Sequence, residues 1–187
     1  GRFNVSNALA AIAASGALGI APERCAAILA GMDTVPGRLE RFVAARGFHV
    51  FVDYAHTEDA LAHVLDTLRE LAPRRLIVLF GCGGNRDRSK RAAMGLVAHQ
   101  RADFTILTSD NPRRERPESI LAEIEQGIPT PGRHEVIADR EEAIARALSI
   151  AARGDIVLVA GKGHENVQEF ASTIVPFDDR EVVRRYL

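Results

Sequence analysis

The sequence predicts an α/β domain, with a mainly parallel sheet and helices on both of its faces, behind a short helical segment. Three runs of almost continuous apolar residues carry this prediction, namely Leu76–Phe80, Phe104–Leu107 and Ile156–Ala160. Stretches with helical composition separate these runs. Strands that alternate with helices form parallel sheets covered on both faces, and such strands are apolar along their whole length.

The N-terminal part of the chain predicts two helices. Residues 4–16 are rich in Ala, Leu and Ile, which favour helix, and Asn4 is placed as the N-cap. Gly16 and Gly19 mark the end of this helix. A second helix is expected at residues 22–29, with a proline in its first turn.

A turn-forming sequence at residues 34–37 marks a domain boundary, since Pro and Gly interrupt regular structure. Two domains are therefore expected, 1–34 and 35–187. The second begins with two strands that pair around a turn at Arg46 and Gly47. Its predicted elements are strands 39–44 and 49–53, helix 57–72, strand 75–80, helix 88–100, strand 103–108, helix 117–126, strand 134–137, helix 140–152, strand 155–160, strand 171–175 and a helix from Asp178.

Composition and charge exclude several classes of protein. The chain has 187 residues, 47% of them apolar, which is enough for one α/β domain and some appended structure. Lys and Arg total 24 against 25 Asp and Glu, so the basic surplus of a general nucleic-acid binder is absent. Cys25 and Cys82 form no metal-binding pattern and suit a reducing cytoplasm. No apolar run approaches the ~18 residues of a membrane span. Because the chain starts without Met or a signal peptide, we expect it to be part of a longer protein.

Three polar segments each follow an apolar strand: residues 81–88, 110–113 and 161–165. In an open parallel sheet, ligands bind beyond the carboxyl ends of the strands. The segments would bring Arg86, Arg113, the carboxylate of Glu165 and several glycines to one edge. These groups suit a small molecule that carries both carboxylate and ammonium groups.

Two of these segments also have a simpler interpretation. Residues 110–113 could be only a turn, because Asp, Asn and Pro form turns, although Arg113 could bind a carboxylate through two hydrogen bonds. Residues 161–165 could be an ordinary loop with a solvated Lys162. Two glycines around a lysine, followed by His and Glu, favour a functional site.

The glycines of residues 81–88 let the backbone approach a ligand closely, and free N–H groups at a helix start favour anions. This segment is not a GxGxxG motif, and no GxxxxGK[ST] phosphate loop occurs in the chain. Arg86 lies in the turn itself and is the better candidate for function. The basic residues beyond it are interpreted as a solvated helix face: Arg88, Lys90 and Arg91.

Asp53 ends a predicted strand, where it could accept hydrogen bonds from ribose hydroxyls, and His56 could pack on a base. The alternative is a plain strand-to-helix turn with Thr57 as the N-cap. Three other polar residues would by themselves be assigned to the surface: Asn4, Asn7 and Arg38.

Seven segments occur in a fixed order: Phe-Asn-Val-Ser-Asn at 3–7, Gly-Arg-Leu-Glu at 37–40, Asp-Tyr-Ala-His-Thr at 53–57, Gly-Cys-Gly-Gly at 81–84, Arg-Asp-Arg at 86–88, Asp-Asn-Pro-Arg at 110–113 and Gly-Lys-Gly-His-Glu at 161–165. Together they resemble the Mur ligase family of peptidoglycan synthesis, over essentially the whole chain. Each motif is modest alone, but seven in register form a specific signal. The resemblance implies a Rossmann-like C-terminal Mur ligase domain at 35–187, preceded by the helical end of the central ATPase domain at 1–34.

The resemblance implies an ATP-dependent ligase reaction. ATP phosphorylates the D-glutamyl carboxylate of UDP-N-acetylmuramoyl-L-alanyl-D-glutamate, and the amine of the incoming amino acid attacks the acyl phosphate to give an amide, ADP and phosphate. The family carries its phosphate loop and magnesium ligands in the central domain. ATP and Mg²⁺ are therefore expected in the full-length enzyme, with no catalytic residue, metal site or tightly bound cofactor in this chain, which alone would be inactive. The implied partners are the UDP-linked dipeptide, meso-diaminopimelate and ATP, without nucleic acid or membrane, for a cytoplasmic monomer.

Within the family, Asp-Asn-Pro-Arg marks the enzymes that add meso-diaminopimelate, whereas lysine-adding relatives differ at the Arg position. Arg86 with Arg113 would receive the distal carboxylate, and Glu165 with the Gly161 carbonyl would receive the distal ammonium. The residues implied to bind meso-diaminopimelate are Arg86, Asp110, Asn111, Pro112, Arg113, Gly161 and Glu165. Those implied to approach the nucleotide are Asn4, Asn7, Arg38, Asp53 and His56.

Two positions depart from the family pattern. Glu58 replaces the usual Pro at a helix start, where a negative charge is favourable. Asn85 replaces the usual Asp beside Arg86, which removes a charge but keeps hydrogen-bonding capacity. Two other functions stay open: a lysine-adding relative, against which Arg113 argues, and a non-catalytic module that binds a wall precursor. A nicotinamide dehydrogenase is disfavoured because no GxGxxG opens a βαβ unit.

Overall fold

The computed structural model describes residues 2–32, 35–129 and 131–187, and the chain divides into two compact units, Gly1–Thr34 and Val35–Leu187. The first unit contains helices α1 (Arg2–Ala17) and α2 (Pro22–Ala30). Both predicted helices are confirmed. The N-cap role predicted for Asn4 is wrong, because Asn4 lies inside α1, whose helical backbone already includes Arg2. Thr34, at the predicted boundary, lies outside the described residues.

The second unit contains a six-stranded sheet. Its strands are β1 (Glu40–Val43), β2 (His49–Asp53), β3 (Leu76–Phe80), β4 (Phe104–Leu107), β5 (His134–Val136) and β6 (Ile156–Ala160). Their order across the sheet is β1-β2-β6-β3-β4-β5. Only β1 and β2 pair antiparallel, and every other pair of neighbours is parallel. The prediction of a mainly parallel sheet is confirmed.

Five helices pack on this sheet: α3 (Glu58–Arg69), α4 (Lys90–Arg101), α5 (Pro117–Glu125), α6 (Arg140–Ile150) and α7 (Asp179–Tyr186). Helices α3, α4 and α5 share one apolar core with the sheet, and α6 and α7 share the other. Along β3, Val78 and Phe80 belong to the first core and Ile77 and Leu79 to the second. Burial on both faces explains why this strand has no polar residue. None of the described helices is both long and apolar enough to cross a membrane.

The sequence predicts one short strand near residues 171–175, and the structure differs, because the strand begins only at Ile174 and a second strand precedes it. This region forms a hairpin of two short antiparallel strands, β7 (Val167–Glu169) and β8 (Ile174–Pro176). The connecting turn is closed by a hydrogen bond from Phe170 N to Thr173 O at 2.8 Å. Each strand has three residues, too few for an alternating pattern to be visible in the sequence.

Candidate ligand-binding site

Strands β6, β3 and β4 are neighbours and run parallel, so the polar segments that follow them meet at one edge of the sheet. A pocket of about 460 Å³ opens there. Six of the seven residues implied to bind the amino acid line it: Arg86, Asp110, Asn111, Arg113, Gly161 and Glu165. The seventh, Pro112, is buried in the same loop and is not part of the lining. The pocket also includes residues that the sequence analysis had not assigned to this site: Tyr54, Thr57, Gly83, Asp87 and Lys90.

Two glycines allow the loops after β3 and β4 to touch. A Cβ atom at Gly81 would lie 2.0 Å from Thr108 O, and one at Gly84 would lie 1.9 Å from Pro112 O. Both distances are impossible for real atoms, so any side chain would push the loops apart. The glycine-rich sequence is thus needed for close backbone packing between the two loops that carry Arg86 and Arg113.

Arg86 is exposed at the pocket and has no hydrogen bond or ion pair with any described residue. Its neighbour Asn85 has a φ of 52°, a left-handed conformation that Asn tolerates better than most residues. Asn85 N donates to Glu115 Oε1 at 2.6 Å, and Asn85 Oδ1 accepts from Arg114 N at 3.0 Å. The loop before Arg86 is therefore anchored at this position with Asn in place of Asp.

Arg113 is held in place by its own chain. Its Nε donates to Glu169 Oε2 at 2.7 Å, and its Nη1 donates to Gly84 O at 3.0 Å. Among the described residues, Nη2 of the guanidinium has no acceptor. The side chain is 25% exposed, so a ligand carboxylate can reach this group.

Asp110 and Asn111 form the floor of the pocket. Asp110 is buried, which raises the pKa of its carboxyl, and its Oδ1 has no hydrogen-bond partner among the described residues. Asn111 Oδ1 accepts from Lys162 Nζ at 2.9 Å and from Glu169 N at 3.0 Å. Asn111 Nδ2 donates to Glu165 Oε2 at 2.9 Å, which fixes the orientation of both side chains.

The loop after β6 supplies a buried cation that the residue assignment from sequence missed. Gly161 has a φ of 113°, which favours glycine, and Lys162 beside it is completely buried. The alternative of a solvated Lys162 is therefore wrong. Its Nζ donates to Asn111 Oδ1 and, at 3.2 Å, to Glu165 Oε2, and lies 3.6 Å from Asp110 Oδ1.

Of the residues implied to approach a nucleotide, His56 and Arg38 lie together, each against the ring of Tyr54. His56 Nδ1 donates to Tyr54 O at 2.8 Å, so in the neutral ring Nε2 is an acceptor. His56 lines the pocket, and Arg38 lies over the Tyr54 ring at 4.9 Å from its centroid. Thr57 caps α3, as predicted, with its side chain accepting from Ala60 N.

Asp53 lies beneath this group rather than in the pocket lining. Its two carboxylate oxygens each accept from a backbone N–H, of Leu39 and of Ala55, both at 2.8 Å. Burial raises the pKa of the Asp53 carboxyl, and these two hydrogen bonds oppose the shift. Asn4 and Asn7 belong to the helical unit, where both are exposed on α1.

The interpretation of residues 88–91 as a solvated helix face is wrong for Arg91. This arginine is completely buried and donates to Glu115 at 2.9 and 3.0 Å and to Glu123 at 2.8 Å. Arg88 is 65% exposed and also pairs with Glu123. Lys90 Nζ donates to His56 O at 2.6 Å. The buried residues of α4, which are Arg91, Met94, Gly95 and Ala98, follow a helical i, i+3, i+4, i+7 spacing. That spacing was the available signal for a buried arginine.

The described residues contain no cluster of three or more His, Cys, Asp or Glu side chains that could hold a metal ion. The chemistry of this edge is that of binding and orienting a charged ligand.

Comparison with known proteins gives one consistent result. A family model described as "Mur ligase, glutamate ligase domain" matches residues 37–163. A UDP-N-acetylmuramoyl-L-alanyl-D-glutamate--2,6-diaminopimelate ligase from Geobacillus kaustophilus is 50% identical over 185 residues, covering 98% of this chain and 38% of that protein. The enzyme of the same name from Syntrophomonas wolfei is 48% identical over 189 residues, covering 100% of this chain and 39% of its own length.

Solved structures agree with this comparison. A structure of UDP-N-acetylmuramoyl-L-alanyl-D-glutamate--2,6-diaminopimelate ligase superposes with a TM-score of 0.78 at 43% identity, over 100% of this chain and 38% of that one. A UDP-N-acetylmuramate-alanine ligase from Thermotoga maritima, at 19% identity and a TM-score of 0.66 over 98% of this chain and 36% of that one, shares the fold. The chain thus spans less than two fifths of the length of these solved relatives.

Proposed function

The chain belongs to the Mur ligase family, and on that premise we propose that it is the C-terminal part of an ATP-dependent ligase that adds meso-diaminopimelate to UDP-N-acetylmuramoyl-L-alanyl-D-glutamate. In this proposal, residues 35–187 hold the incoming amino acid, and residues 1–34 are the helical end of the central ATPase domain. The relatives with this activity in their names match the whole chain at close to 50% identity.

The observation that carries the proposal is the pocket at the carboxyl ends of β6, β3 and β4. Meso-diaminopimelate has a carboxylate and an ammonium at each end, whereas L-lysine ends in an ammonium alone. The free Arg86 and the Nη2 group of Arg113 suit the distal carboxylate, because guanidinium groups form strong charge-assisted hydrogen bonds with carboxylates. Glu165 and the Gly161 carbonyl suit the distal ammonium.

This arrangement also explains how lysine would be rejected. A site that pairs a charged group discriminates strongly against ligands that lack it, because the site's own groups then stay unpaired. With lysine bound, the two arginines would face no carboxylate. The discrimination therefore depends on the same groups that bind the correct amino acid.

The chain contributes to the reaction by positioning. Binding of the distal end of meso-diaminopimelate leaves its other amine free to attack the acyl phosphate. The reaction of two separate molecules then becomes effectively unimolecular, because the reacting groups are held in place. We further propose that Asn4, Asn7, Arg38, Asp53 and His56 approach the nucleotide in the full-length, monomeric cytoplasmic enzyme. The His56 Nε2 acceptor and the exposed Arg38 guanidinium support that part of the proposal, and Asp53 supports it by fixing the backbone at Leu39 and Ala55.

A titration followed by NMR tests the proposal. Isotopically labelled chain is titrated with meso-diaminopimelate and, separately, with L-lysine up to millimolar concentration. We expect amide shifts at Arg86, residues 111–113 and residues 161–165 with meso-diaminopimelate only. An equal response to lysine would refute the distal-carboxylate argument. If neither ligand shifts these amides, the titration is repeated in the full-length ligase, where a second negative result contradicts the proposed site.

A further inference from the structure

We propose that Lys162 is a positioning and specificity-determining residue of the amino-acid pocket, through a buried ammonium that orients Asn111 and Glu165 and offsets the charge of the pocket floor. This inference rests on the proposed function. The lysine itself is not among the residues that line the pocket, so it acts through its neighbours.

The first argument is burial. Lys162 has no exposed surface, and lysine is almost never fully buried unless it is paired. Its two acceptors are residues of the pocket, Asn111 Oδ1 at 2.9 Å and Glu165 Oε2 at 3.2 Å, and Asp110 Oδ1 lies nearby at 3.6 Å. An ammonium in this position is expensive to desolvate, and among the residues that the structure describes its partners are groups of the pocket.

The second argument is geometric. Glu165 Oε2 accepts from both Lys162 Nζ and Asn111 Nδ2, so the carboxylate is fixed from behind. Among the described residues, Glu165 Oε1 has no donor, and the side chain is 30% exposed. Glu165 Oε1 is therefore the oxygen that can accept a hydrogen bond from a ligand ammonium. Lys162 thus determines which part of Glu165 faces the ligand.

The third argument is charge. The carboxyl groups of Asp110 and Glu165 both lie close to the Lys162 ammonium, at 3.6 and 3.2 Å, so the lysine places one positive charge beside the acidic side of the pocket. At neutral pH meso-diaminopimelate has no net charge and L-lysine carries one positive charge. A pocket without the Lys162 charge would be more negative and would shift in favour of L-lysine. The buried lysine therefore acts together with the two arginines in discriminating between the amino acids.

The test compares Lys162→Met and Lys162→Gln with wild type in the full-length ligase. With UDP-substrate and ATP saturating, we expect Lys162→Met to raise KM for meso-diaminopimelate roughly 10- to 100-fold with little change in kcat. The kcat/KM ratio of meso-diaminopimelate to L-lysine should fall in both variants, since both lack the charge. Lys162→Gln keeps a donor and should raise KM less. The control Arg146→Gln removes an exposed arginine paired with Glu135 and should change neither parameter.

The outcomes separate the two proposals. If the wild-type ligase does not use meso-diaminopimelate, the proposed function is wrong. If it does, but the variants keep its KM and selectivity, or lose both amino acids equally, the role given to Lys162 is wrong. If neither variant folds, the role of Lys162 is tested in ¹⁵N-labelled wild type, by following the NMR signal of the Lys162 side-chain ammonium. We expect this signal to shift when meso-diaminopimelate binds, and an unchanged signal at saturation overturns the inference.

Discussion

Replacing Arg91 by Met should destabilise the second unit by about 3 kcal/mol and loosen both loops of the pocket. The Arg91 side chain is 0% exposed, and its guanidinium forms hydrogen bonds with both oxygens of Glu115 and with Glu123. Removing one partner of a buried ion pair typically costs ~3–5 kcal/mol. The lower end applies here, because the two glutamates are 20% and 23% exposed and can be partly hydrated once the arginine is lost.

A matched control lies just before α4, which begins at Lys90. Arg88 also pairs with Glu123 but is 65% exposed, so Arg88→Met should cost far less, because exposed ion pairs contribute little to stability. In thermal or urea unfolding, Arg91→Met should lower Tm by roughly 6–12 °C, and Arg88→Met by no more than a few degrees. Similar small effects of both substitutions would refute the assignment of Arg91 as a buried anchor.

The pH dependence gives an independent check. The hydrogen bond from Arg91 lowers the pKa of Glu115 to about 2 from an ordinary value of 4.5. Because folding lowers this pKa, the pair stabilises the fold fully above pH 4.5, and the stabilisation is lost as the pH falls towards 2. The stability difference between wild type and Arg91→Met should therefore be constant near neutral pH and shrink below pH 4.5. A difference that grows in acid would contradict the argument.

Three further predictions follow from other contacts. In the full-length ligase, Arg113→Met should weaken meso-diaminopimelate binding by roughly 2–4 kcal/mol, read as a rise in KM, and should leave use of L-lysine unchanged; equal loss of both amino acids would contradict its role. Burial raises the pKa of the Cys82 thiol to about 12, so iodoacetamide at pH 8 should modify Cys82 only after denaturation, as mass spectrometry of the folded and unfolded chain can show. Arg140 and Asp179 form a fully buried pair, so Arg140→Met should lower unfolding stability by about 3–5 kcal/mol, and adding Asp179→Leu should recover much of it; a double variant no more stable than the single one would refute this.

The position of the site could be predicted from the sequence because strand burial and strand direction decide it. Strands β3 and β6 are apolar over their whole length, β4 is apolar except for Thr105, and each strand is followed by a polar segment. Parallel packing then places those segments at one edge. The short hairpin of β7 and β8, whose Glu169 holds Arg113, left no comparable pattern in the sequence.

The interior of the site could not be predicted, because the burial of a charged residue depends on the partners that the fold brings to it, most of them distant in the chain. Arg91 and Lys162 were each open to interpretation as solvated, as most arginines and lysines are. Arg91 is buried because Glu115 and Glu123 meet it there, and Lys162 because Asn111 and Glu165 do. Of the two residues, Arg91 alone belongs to a helical spacing of buried residues that indicates its burial.

The strand order has a consequence for how the domain is made. Strand β6 lies between β2 and β3, although β3, β4 and β5 all precede it in the chain. During synthesis, β2 and β3 are therefore made long before β6, the strand that lies between them. We expect the strand edges that later pair with β6 to stay without hydrogen-bond partners until then. Folds that depend on such distant pairing form slowly, and unpaired edges attract other chains. Because the loop with Lys162 and Glu165 follows β6, the pocket is incomplete until β6 has been made and paired, so ligand binding at the pocket would report completed folding of this domain.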